Sequence, residues 1–114
     1  MIIGGEGYVG SALKLQVPED TVLYLAFMSN NDMCERNPRL AEKLNEDSFL
    51  SCAGYTKARR FIFASSVAAY GEVSNATEES GLNPTTLYGY HKRTCEEMLQ
   101  ASDLDYTIVR CASV

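Results

Sequence analysis

Basic charge is what this sequence most lacks. Ten Lys and Arg stand against fifteen Asp and Glu, a net charge of −5, so no basic face is available to follow a nucleic-acid backbone. Lys57, Arg59 and Arg60 form the one basic cluster, just ahead of a strand pattern, where a solvated edge is expected. No apolar run approaches the roughly 20 residues that span a bilayer. The start Met1-Ile2-Ile3-Gly4 has no basic region or signal core, so a cytoplasmic chain with no membrane partner is expected. Cys34, Cys52, Cys95 and Cys111 form no Cys-x-x-Cys pair and read as reduced, mostly buried thiols, with no metal site and no disulfide frame. His91 is the single histidine; no Ser-His-Asp arrangement or metal-ligand cluster can be assembled around it, and it is expected in solvent. Internal repeats, low-complexity tracts and linker-like stretches are also missing.

What is present fits one domain. A chain of 114 residues can bury about two thirds of the surface its unfolded form exposes, enough for a single core. After Met1-Ile2-Ile3 and a glycine turn, residues 8–15 carry a helical pattern that ends before Pro18. Residues 21–27 (Thr-Val-Leu-Tyr-Leu-Ala-Phe) read as a buried strand, short, continuous and β-prone. A polar loop over 29–37 leads to Pro38, a first-turn helix residue behind Asn37 as cap. Leu40, Ala41, Leu44, Cys52 and Tyr55 give that helix an apolar face, and residues 45–48 interrupt it. A second strand covers 60–65, a polar loop 71–84, and a last strand 105–110. Strands alternating with helices predict a small α/β sandwich with a parallel sheet.

Three stretches carry chemistry. Gly5-Glu6-Gly7-Tyr8-Val9-Gly10 matches G-x-G-x-x-G, with Gly4, Gly7 and Gly10 also spaced three apart. Between a strand and a helix, such a turn lets backbone amides approach a pyrophosphate at a helix N-terminus, although a glycine-rich turn can also bind nothing. The acid that would hold a ribose is not obvious; by counting, Asp32 falls in range. Ser65 and Ser66 end a strand, where open parallel sheets place their ligands, or where serines merely satisfy backbone groups. Pro84 then stops any incoming helix, Thr85 or Thr86 can cap a new one, and Cys95, Met98 and Leu99 continue its apolar face. Tyr88 and Lys92 sit four apart on one face of that helix, where an ammonium would pull a phenol below its usual pKa of about 10.

Taken in order, the glycine turn, Ala64-Ser65-Ser66 and Pro84-Thr85-Thr86-Leu87-Tyr88-Gly89-Tyr90-His91-Lys92 resemble the extended short-chain dehydrogenase/reductase family, and more closely its NAD-dependent epimerase/dehydratase branch. Val22-Leu23-Tyr24-Leu25-Ala26, Asn37-Pro38-Arg39-Leu40-Ala41 with Leu44-Asn45, and Thr107-Ile108-Val109-Arg110 are similar to further family segments. The resemblance implies a reduced Rossmann-like three-layer sandwich with a small, mostly parallel sheet: residues 1–114 as a truncated NAD(P)-binding domain without a separate substrate domain. It implies Tyr88 as the base taking a proton from a nucleotide-sugar hydroxyl, Lys92 lowering the Tyr88 pKa and holding the nicotinamide ribose, and Ser66 bonding the reacting oxygen. Gly4, Gly7 and Gly10 with the Tyr8 and Val9 amides would receive the pyrophosphate of NAD, or of NADP. Leu25, Ala26 and Phe27 would line the cofactor, and Asn45 would match a structural asparagine. Only six residues, 16–21, separate the first helix from the strand matched to the family, an interval that holds two further strands in family members. That shortening leaves three expectations open: a compact enzyme, completed as a homo-oligomer; a nucleotide-binding or structural protein without turnover; or part of a longer enzyme.

Overall fold

The computed structural model describes residues 2–4, 18–27, 31–70 and 84–111. Within them the strands are β1 (Ile2–Ile3), β2 (Thr21–Tyr24), β3 (Arg60–Ser66) and β4 (Tyr106–Cys111). They join in the order β1-β2-β3-β4, and every neighbouring pair is parallel. The α/β fold with a parallel sheet is therefore as the sequence predicts. The ladder of β2 stops at Tyr24 rather than at residue 27, and beyond it the Leu25 amide donates to the Ile3 carbonyl at 2.7 Å.

The helices are α1 (Asn31–Arg36), α2 (Pro38–Glu42), α3 (Ser48–Tyr55) and α4 (Leu87–Gln100). Three local expectations change here. The polar stretch expected to loop folds into α1, helped by the Asp32–Arg36 ion pair at 3.0 Å, with the acid in the first turn and the base in the last. Asn37 does not cap α2; its amide instead donates to the Met33 carbonyl at 3.4 Å. The interruption expected at 45–48 is a π-helical turn, Lys43–Asp47, which carries the chain from α2 into α3 without a break. Such a turn absorbs an extra residue where packing on both sides must be kept.

The parallel register puts Val22 beside Phe61 and Tyr24 beside Phe63, all on one face of the sheet. There they form the core with Phe49 of α3 and Cys95 and Leu99 of α4. Ring pairs close it, Phe49–Phe63 at 4.7 Å and Tyr24–Phe49 at 5.0 Å between centroids. Ala41, Asn45 and Phe49 face inward, whereas Leu40, Leu44 and Tyr55, expected on the apolar face, are exposed. The second helical layer expected from residues 8–15 lies outside the described residues. Among the described residues, no helix is long and apolar enough to cross a membrane.

One polar cluster ties α4 to the sheet. The Glu96 carboxylate has no exposed surface. Arg110 of β4 donates to it through Nη2 at 2.7 Å and Nε at 3.1 Å, and Ser65 of β3 donates its hydroxyl at 2.6 Å. Arg110 Nη1 also donates to the Tyr70 hydroxyl at 2.6 Å, in the short 3-10 turn Val67–Tyr70 that follows β3. Replacing Arg110 by Met leaves a buried carboxylate without its cation. We expect a loss of about 3–5 kcal/mol in urea unfolding at neutral pH. A loss below about 1 kcal/mol would mean that the pair is solvated in solution.

Candidate active site at the carboxyl end of the sheet

The start of α4 is fixed by a local device legible in the sequence. Thr86 adopts extended backbone angles and its hydroxyl accepts from the Gly89 amide at 3.0 Å, the geometry of an N-cap. The first turn of α4 then lies directly against the turn after β3. A Cβ built on Gly89 would stand 2.5 Å from the Ala68 carbonyl oxygen, so only glycine permits this approach. Sequence reading missed Gly89, whose signal is a glycine inside an otherwise ordinary helix.

That approach brings Ser66, the last residue of β3, to Tyr88. The Ser66 hydroxyl is near enough to favour the Tyr88 phenolate, and its oxygen accepts from the Ala68 amide at 3.1 Å. One helical turn later Lys92 is buried, with Nζ 5.6 Å from the Tyr88 ring centroid. The structure thus gathers Ser66, Tyr88 and Lys92 from two distant segments of the chain. The expected electrostatics differ. Burial pushes the Tyr88 phenol above its ordinary value, and the neighbouring Ser66 hydroxyl only partly opposes it. The Lys92 ammonium is turned elsewhere: Nζ donates to the Ala64 carbonyl at 2.7 Å and lies beneath the Phe27 ring, 3.7 Å from its centroid. Phe63 adds a second ring at 4.7 Å. Burial lowers the Lys92 pKa to about 8, and the neighbouring Cys95, Cys111 and Glu96 only partly oppose it.

The cofactor-side residues are placed in part. Gly4 has φ +82°, and a Cβ there would meet the Ala26 nitrogen at 2.6 Å, so the turn out of β1 runs tightly against the end of β2. Gly7, Tyr8, Val9 and Gly10 lie outside the described residues. Leu25, Ala26 and Phe27 are half-buried beyond the end of β2. Ala26 and Phe27 line an apolar groove of about 520 Å³ together with Ile3, Tyr24, Leu44, Ser48 and Cys52. Asp32, the acid reached by counting, is on α1 and engaged with Arg36.

Two further residues depart from expectation. His91 is buried, not solvated, because the π-helical turn packs over it. Asn45 Nδ2 donates to its Nδ1 at 3.0 Å, which leaves the proton on Nε2, 3.5 Å from Glu46. Burial lowers the His91 pKa and raises that of Glu46. Ser65 does not serve the strand end; it is a partner of Glu96.

The burial of Lys92 has a sign that can be measured. Its pKa falls from 10.5 to about 8 on folding, so its charge opposes folding in full below pH 8. The opposition fades as pH rises from 8 to 10.5, where the unfolded chain holds the extra proton. We expect Lys92→Met to be more stable than the wild type at pH 7 by up to roughly 3 kcal/mol. Urea unfolding across this range should show that gap closing, and a gap independent of pH would refute the shift.

Known proteins are similar to this chain. The model of the NAD dependent epimerase/dehydratase family matches residues 20–114, the part that holds Ser66, Tyr88 and Lys92. The chain is similar to a UDP-N-acetylglucosamine 4-epimerase from Methanobrevibacter ruminantium M1, solved in complex with UDP-N-acetylmuramic acid. The two are 28% identical with a TM-score of 0.72, over 85% of this chain and 34% of that one. A UDP-glucose 4-epimerase is 33% identical with a TM-score of 0.69, over 87% of this chain and 33% of its own. RMD from Pseudomonas aeruginosa, complexed with NADPH, shares the fold at a TM-score of 0.86 and 21% identity, over 98% of this chain and 53% of that one. The chain spans about a third of the length of the two epimerases. With the match running through the whole Ser66–Tyr88–Lys92 region, the chain belongs to the NAD dependent epimerase/dehydratase family.

Proposed function

We propose that this chain binds a nicotinamide dinucleotide across the carboxyl ends of β1 to β3 and moves a proton between a nucleotide-sugar hydroxyl and Tyr88. The observation that carries the reading is that Ser66, the last residue of β3, and Tyr88 and Lys92 of α4, with Nζ 5.6 Å from the Tyr88 ring centroid, come together at the sheet end where parallel folds hold ligands. Family membership and the sugar-nucleotide epimerases among similar structures support the substrate class.

The residues fit such a cofactor at the positions described. The Gly4 turn is tight enough to bring backbone close to a pyrophosphate, with Gly7, Gly10 and the Tyr8 and Val9 amides assigned to the same group. Leu25, Ala26 and Phe27 present a half-buried wall, and Lys92 supplies the donor for the ribose. A bound nicotinamide ring supplies the hydride acceptor or donor. The chain's own work is narrower. Ser66 holds the sugar oxygen in line with Tyr88, and Tyr88 as phenolate accepts its proton. Lys92 stabilises that phenolate once its ammonium is drawn toward the ring. Tyr88 is a poor base while burial dominates, so ligand binding must bring the positive charge closer.

A second reading is a nucleotide-binding protein without turnover, since Asp32, the acid in range of a ribose by counting, sits on α1 in an exposed pair with Arg36. Calorimetric titration with NAD and NADP tests what both readings require, and turnover separates them. We expect sub-millimolar affinity for one of them, and no binding at several millimolar would end both. Given binding, Tyr88→Phe should lower turnover of a UDP-sugar by at least about 100-fold. Its cofactor affinity should stay within about twofold; an equal loss of affinity would make Tyr88 a structural residue.

A further inference from the structure

Phe27 stands on the ammonium that the dinucleotide reading assigns to a ribose. Its ring centroid is 3.7 Å from Lys92 Nζ, and it makes a T-shaped pair with the Tyr88 ring at 5.9 Å between centroids and 82° between planes. The ammonium donates to Ala64 O on one side and is covered by the ring face on another. Because Lys92 is buried, the attraction between charge and ring is felt without much screening. An oxygen acceptor cannot reach Nζ from the side of the ring while the ring stays there.

The ring has somewhere to go. It also lines the apolar groove of about 520 Å³ bounded by Ile3, Tyr24, Ala26 and Leu44. Phe27 lies three residues past the last paired residue of β2, outside the ladder. A change at χ1 would carry the ring from Nζ into the groove, exchanging one apolar surface for another.

We propose that Phe27 is a hinged cap over Lys92, which any ligand using that ammonium has to displace. Closed, the ring holds Nζ against the Ala64 carbonyl and away from the Tyr88 oxygen. Open, it lies in the groove and leaves Nζ to a ligand oxygen. Resting on the dinucleotide reading, that oxygen belongs to the nicotinamide ribose, and binding includes the cost of opening the cap. The cap is a separate matter from whether the ligand is a dinucleotide.

A double-mutant cycle tests the cap without cofactor. Phe27→Leu keeps apolar bulk and loses the ring face, and Lys92→Met keeps the stem and loses the charge. In urea unfolding at pH 7, the two changes together should differ from their sum by about tenfold in the unfolding constant. Strict additivity overturns the cap. Calorimetric titration then tests displacement: Phe27→Leu should bind NAD about tenfold more tightly than the wild type, and equal or weaker binding overturns it. If the cycle shows coupling and no variant binds NAD or NADP at several millimolar, the cap stands and the dinucleotide assignment falls.

Discussion

A carboxylate with no surface of its own organises this molecule. Glu96 is buried beneath α4, and its charge is tolerable only because Arg110 meets it with a two-point contact and Ser65 adds a hydroxyl. The arrangement demands that β3, β4 and α4 hold one relative position. It also fixes the rotation of α4 about its axis. Tyr88, Lys92 and Glu96 follow one another at intervals of four, so they form one stripe along the helix. Anchoring the stripe at Glu96 presents Lys92 and Tyr88, in that order, toward the carboxyl end of the sheet. The candidate base is positioned from two turns away.

What could be read from the sequence is what local rules decide. The Thr86 cap, the shared face of Tyr88 and Lys92, the Pro38 helix start and the apolar strands each depend on a few neighbouring residues, and each stands in the structure. The failures have a common cause. His91 reads as solvated because nothing nearby in sequence covers it; the cover comes from Asn45, 46 positions away. The π-helical turn reads as a break because its polar residues do not repeat like an α-helix, yet one of them, Asn45, is required inside. Ser65 looks like a strand-end serine until the fold sets it directly against Glu96, 31 positions away, which Arg110 of β4 also meets. The short helix α1 was lost to its polar composition, which its own ion pair turns to advantage.

The electrostatics of the site belong to a guarded state. Spacing alone suggests that Lys92 would acidify Tyr88, but spacing says nothing of where the ammonium is spent. In the folded chain it is shared by a carbonyl and two aromatic rings, and burial holds Tyr88 away from its phenolate form. This is a coherent resting arrangement.

Gly89 carries a consequence of another kind. The contact between α4 and the turn after β3 is backbone against backbone, with space for a hydrogen atom and nothing larger. Every other genetically encoded residue brings a Cβ, so position 89 has no conservative neighbour. In a saturation scan it would behave as an all-or-none locus, silent in chemistry but as intolerant as a residue that performs it. Intolerance there would measure geometry, and a survey of tolerated changes alone would mistake this glycine for part of the machinery it merely lets close.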